Sequence, residues 1–183
     1  MKLFLYSIAL LLIASCSKFP NTYQISDDEK IADELMKNVA LDIKTKLNLS
    51  PCGTGGQMMH QIEMLALAFR YYKPVTIEEG RELLITSVDT FVDAINADER
   101  IRPYLANYPF EPKNVQISIF LRNPNDSRPS YDNLVVISSV NGIFEYRVDD
   151  SQGPLFVNIH EESYQEALQA QKALDSHLLK IAQ

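Results

Sequence analysis

The sequence predicts an α+β fold in two layers: an antiparallel sheet of four to five strands with three longer helices on one of its faces. Three observations predict it. Apolar residues recur at helical spacing in three separate segments, each opened by a Ser/Thr-x-x-Glu capping box. Alternating apolar and polar residues mark strands in the second half of the chain, and an Asn-Gly dipeptide joins two of them. Apolar residues make up 46% of the 183 positions, enough for a core, with no internal repeat or low-complexity tract to divide it. One α+β domain over 26–183 follows.

The first helix begins after Ser26, with Glu29 completing its capping box and Asp27 and Asp28 suiting its positive end. Ile31, Leu35, Val39, Ile43 and Leu47 form its stripe, and Leu49-Ser50-Pro51 ends it. PCGTGGQMMH, residues 51–60, reads as a glycine-rich turn. The run over 61–72 fits two periods. Met58, Ile62, Leu65, Ala66 and Phe69 would make a helix stripe. Leu65, Leu67, Phe69 and Tyr71 would make one strand face with small Ala66 and Ala68 on the other; the terminal aromatics and Pro74 favour the strand.

A second capping box, Thr76 to Glu79, starts a helix with the stripe Leu84, Val88, Phe91, Val92 and Ile95, ending at Asn96. A short helical turn is expected within Asp98–Leu105, and Pro109 and Pro112 bracket a fixed loop. Val115, Ile117 and Ile119 alternate with Gln116 and Ser118 as a half-buried strand. Strands 134–140 and 143–148 flank Asn141-Gly142. A two-residue turn pairs Ile137 with Tyr146, Val135 with Val148 and Ser139 with Phe144. Val135, Ile137, Phe144, Tyr146 and Val148 then face a core, while Ser138, Glu145 and Arg147 face water. A fifth strand is expected over Pro154–Ile159. The last helix starts near Ser163, capped with Glu166, along Tyr164, Leu168, Gln171, Leu174, Leu178 and Ile181.

The net charge of −7 repels phosphate backbones and anionic lipid headgroups alike, so no nucleic-acid partner is expected and any membrane attachment must be hydrophobic. Candidate chemistry is sparse. Cys52 lies in the glycine-rich segment, eight residues before His60, and a Cys/His nucleophilic pair is conceivable. No thiol-enzyme motif surrounds it, and a buried structural cysteine or a partner contact is the commoner role. CGTGG lacks the Gly-Lys-Ser/Thr ending of a phosphate loop, and no Gly-x-Ser-x-Gly elbow occurs. His60, His160 and His177 are scattered. His160 beside Glu161 and Glu162 offers adventitious metal ligands at what reads as a solvated corner. Asp149-Asp150 lacks the alternating oxygens of a calcium loop. Tyr71, Tyr72, Tyr104 and Tyr108 form either an exposed aromatic patch or caps on the core. No catalytic residue, cofactor or metal is expected.

The N-terminus is more explicit. Lys2 precedes Leu3–Ile13, eleven uncharged residues that as a helix span about 16 Å. That is too short for a bilayer core of about 30 Å, and small residues follow: the pattern of a secretory signal peptide over 1–15. Ile13-Ala14-Ser15-Cys16 resembles the lipobox of bacterial lipoproteins. The resemblance implies lipidation of the Cys16 sulfur and cleavage just before it, giving an anchor of several acyl chains. Ile13 stands where leucine is commonest in that family. Losing Lys2 takes the net charge from −7 to −8. Ser17 in place of aspartate resembles the outer-membrane class. Residues 16–25 read as the lipidated cysteine and a short tether. The segment RPYLANYPFEPKNVQISIF resembles small bacterial lipoproteins without an assigned function, which implies nothing mechanistic.

These readings point to an exported lipoprotein, anchored to the cell membrane or outer membrane. Its domain is expected to be a non-catalytic binding module with a protein partner in the envelope. The alternatives are an envelope enzyme using Cys52 and His60, or a structural tether between envelope layers.

Overall fold

The computed structural model describes residues 25–150, 153 and 155–181. The leader 1–15, Cys16, most of the tether and Pro154 lie outside them, as do the side chains of Leu178 and Ile181. The order is α1 (Asp27–Leu47), β1 (Ser50–Gln57), β2 (Met64–Tyr71), α2 (Ile77–Ala97), β3 (Val115–Leu121), β4 (Leu134–Val140), β5 (Ile143–Asp149), β6 (Phe156–Ser163) and α3 (Tyr164–Ile181). The expected class holds, with a correction in detail: the sheet has six strands, in sequence order from β1 to β6. It is also not wholly antiparallel. β2 and β3 run parallel, Leu65 beside Val115 through Tyr71 beside Leu121, and α2 is the crossover between them.

The extra strand is β1. Its glycines gave it the look of a turn, yet it pairs antiparallel with β2, Gly53 against Ala68 and Gly55 against Ala66, after a bulge at Cys52. The ambiguous run after it is a strand: Leu65, Leu67 and Phe69 are buried, and Ala66 and Ala68 take the other face.

α1 stops at Leu47, one turn of chain before Pro51, because Asn48 adopts the left-handed conformation and its N–H donates to the Lys44 carbonyl. Ser26 is its N-cap, but its side chain makes no cap hydrogen bond, so the expected capping box is not formed by Ser26. The other two boxes form. Thr76 Oγ1 accepts from the Glu79 N–H at 3.2 Å, and the Thr76 N–H donates to the Glu79 carboxylate at 2.8 Å. Ser163 and Glu166 repeat the pattern. α2 runs one residue past the expected stop. Asn96 instead pins the following loop, its amide exchanging hydrogen bonds with the backbone of Phe110. The turn expected within Asp98–Leu105 is a 3-10 turn over Arg102–Tyr104.

The helices lie side by side on one sheet face. α1 covers β1 and β2, α2 covers β3 to β5, and α3 covers β5 and β6. Between the layers sit Leu35, Val39, Ile43, Phe69, Leu84, Val88, Phe91, Ile117, Ile119, Ile137, Phe144 and Tyr146, all buried. Gly80 lets α2 approach: a Cβ there would meet Ile137 Cδ1 at 3.2 Å and Tyr146 Cε1 at 3.3 Å.

The β4–β5 hairpin turns through Asn141 and Gly142 at φ 52° and 76°. Ile137 pairs with Tyr146 and Ser139 with Phe144 as expected. The Val135–Val148 pair does not form: a bulge places Leu134 against Val148 and leaves Val135 as the extra residue. Ser138, expected in water, is buried on the outer face beside Val136 and donates to Glu145.

Candidate functional site

Cys52 and His60 sit at opposite ends of β1. Cys52 and Gln57 are five residue steps apart along the strand, about 17 Å at roughly 3.3 Å each, and His60 follows beyond. The strand therefore holds the pair apart. Cys52 is exposed, not buried as its commoner role suggests. Protein atoms around the sulfur still push its thiol above the ordinary value, and the charges of Arg70 and Arg122 offset only part of this. A raised thiol is the opposite of an activated nucleophile. His60 lines an open groove of about 570 Å³ with Gln57, Met58, Met59 and Glu63.

The expected tyrosine patch is divided. Tyr71 and Tyr104 pack against the core, while Tyr72 and Tyr108 are exposed. His160 and its two glutamates do not converge either. Glu162 is buried, while Glu161 is exposed and accepts from Asn158 Nδ2 at 3.1 Å. Among the described residues no group of three or more His, Cys, Asp or Glu is placed to hold a metal ion.

The structure instead assembles a cluster that the sequence reading missed. Arg81 of α2 and Glu162 of β6 form a buried ion pair, with Arg81 Nε at 2.8 Å and 3.1 Å from the two carboxylate oxygens. The Tyr146 hydroxyl donates to the same carboxylate at 2.7 Å. Burial, that hydrogen bond and the Glu162 charge push the Tyr146 phenol far above its ordinary range. His160 lies against the Tyr146 ring, 5.3 Å between centroids, with Nε2 at 3.8 Å from Glu162. A signal for this existed: Arg81 stands on the apolar stripe of α2, one turn before Leu84, and a charge there needs a buried partner.

Arg81 Nε, the Glu162 carboxylate and the Tyr146 hydroxyl bond one another and rivet β6, the last strand, to α2 and β5, while His160 Nε2 beside them is buried with no hydrogen-bond partner among the described residues. Among the described residues no strand pairs with the outer side of β6, where Arg128 lies over the Phe156 ring at 5.4 Å. Leu155, Phe156, Val157 and Ile159 are 72%, 40%, 45% and 51% exposed. Among the described residues, Phe156–Glu162 make no backbone hydrogen bonds beyond the β5 ladder. The opposite edge differs. β1 carries Pro51 and three glycines, which discourage further pairing, while each edge strand has one bulge, at Cys52 in β1 and at Ile159 in β6.

The chain matches no protein-family model, no curated protein and no solved structure. The geometry of the described residues offers an apolar strand edge held from behind by Arg81, Tyr146 and Glu162.

Proposed function

We propose that this chain is a bacterial envelope lipoprotein, anchored through acyl chains on Cys16, whose α+β unit is a binding module. The apolar edge of β6, unpaired among the described residues, carries the binding half of this reading: large exposed apolar groups clustered on one strand mark interaction sites more often than chance surface. The lipobox-like Ile13-Ala14-Ser15-Cys16 supports the anchor. Among the described residues no helix is long and apolar enough to cross a membrane. Two or three acyl chains, at about 0.8 kcal/mol per buried CH₂, hold stably where one does not. Ser17–Gln24 reaches at most about 29 Å when fully extended, which keeps the module near its membrane surface. Ser17 favours the outer membrane.

The test compares wild type with Cys16→Ala in cells fed a clickable palmitate analogue. Wild type is expected to label and to partition with membranes; the variant is expected to do neither. A variant that stays labelled and membrane-bound rules out the anchor. Crosslinking from intact cells, with wild type and Cys16→Ala in parallel, then tests binding. Recovery of a stoichiometric partner supports the module, and recovery of nothing specific removes it.

A further inference from the structure

We propose that β6 accepts an extended peptide segment as a seventh strand, one that alternates apolar residues with lysine or arginine. This deepens the binding-module reading and rests on it. Three features of the edge point to that occupant. First, among the described residues the backbone along Phe156–Glu162 is bonded on the β5 side only, so its other side presents donors and acceptors for strand addition. Second, the edge carries no proline, no lysine and no arginine; its upstream half is the apolar run Leu155, Phe156 and Val157, with Ile159 beyond. Its bulge at Ile159 is the one such feature on the strand, and edges otherwise lacking these guards template pairing.

The third feature is charge. Glu161 is exposed on the edge strand directly across from Glu145 of β5, and like charges in that position repel. The nearby Arg147 ion-pairs with Glu145, and Glu161 has the neutral Asn158 amide as its hydrogen-bond partner. A cation arriving on the next strand would sit beside Glu161 and relieve the repulsion. A second copy of this chain would instead bring another Glu161 to the seam, between chains that are both net negative.

The rivet of Arg81, Tyr146 and Glu162 keeps this edge preformed, so a peptide orders only itself on binding.

The experiment uses the full-length chain in detergent and a fluorescein-labelled peptide, Thr-Val-Lys-Val-Arg-Val-Thr, followed by anisotropy. A control peptide carries glutamate in place of its two basic residues. Wild type is expected to bind the basic peptide and to ignore the acidic one. Ile159→Lys, an exposed change that leaves the core untouched, is expected to abolish binding with the circular dichroism spectrum unaltered. Glu161→Lys is expected to weaken the basic peptide about fivefold or more and to improve the acidic one. Equal binding to wild type and Ile159→Lys overturns the edge. So does concentration-dependent dimerisation that Ile159→Lys abolishes while neither peptide binds, because the occupant is then a second copy. If the crosslinked cellular partner is recovered equally by the Ile159→Lys chain, the module stands and this inference alone falls. Recovery of no partner by wild type removes the module itself.

Discussion

Among single residues, Arg81 and Glu162 carry the largest local stake. Both are nearly buried, and each is the main compensation for the other's lost hydration. Arg81→Met is expected to cost about 3–5 kcal/mol, because it strands a buried carboxylate. The double variant Arg81→Met with Glu162→Gln is expected to recover part of that loss, since the amide can still accept from Tyr146 without a charge. Urea midpoints of wild type, the double variant and both single variants measure the coupling; a loss below about 1 kcal/mol for Arg81→Met would show that water already reaches the pair. Tyr146 adds a pH dependence. Its folded phenol is raised, so its contribution is complete below the ordinary tyrosine value of about 10 and is lost as pH rises through the folded value. Stability is therefore expected to fall above about pH 10, and Tyr146→Phe is expected to flatten that fall. Tyr164, raised by burial and by its bond to Asp89, keeps its own share in the variant. An unchanged slope in Tyr146→Phe would assign the effect elsewhere.

Among elements, the three helix starts differ although their sequence signatures match. Thr76→Ala and Ser163→Ala are each expected to cost about 1 kcal/mol, because each removes a side-chain oxygen that accepts a first-turn N–H. Ser26→Ala is expected to cost only a few tenths, since Ser26 makes no such bond. Thermal unfolding of the three variants separates them, and equal losses would mean that Ser26 caps in solution. The helices were legible because 3.6-residue periodicity and capping pairs are local. The β4–β5 hairpin was legible for the same reason: Asn141 and Gly142 take the positive φ that its turn requires. β1 was not. Glycine disfavours strands, and Pro51 and the glycines point to a turn; pairing with β2 overrides that preference. The shift of Val135 was equally hidden, because a bulge leaves no mark on alternation.

At the scale of the molecule, the two-layer architecture followed from counting amphipathic segments, but neighbour order did not. Nothing in the alternation of Val115, Ile117 and Ile119 says that their neighbour is Leu65–Phe69 running the same way. The available hint was α2 standing between two strands, the ordinary connection of a parallel pair. The candidate site was legible only in fragments. His160 and its glutamates drew notice as possible ligands, whereas their geometry splits them into an inward rivet and an outward charge. Cys52 and His60 drew notice through proximity in sequence, which a strand converts into distance.

The parallel seam between β2 and β3 has a kinetic consequence. Every other neighbouring pair in the sheet is joined by a short connection, but at this seam residues 72–114 intervene. Closing it carries a larger loop-closure entropy than any hairpin, and it cannot be recovered until α2 is in place. The chain is thus built to assemble as two locally closed pieces, the α1–β1–β2 unit and the β3–β6 meander with α3. Their fusion along the seam is expected to come last and to make one sheet of them.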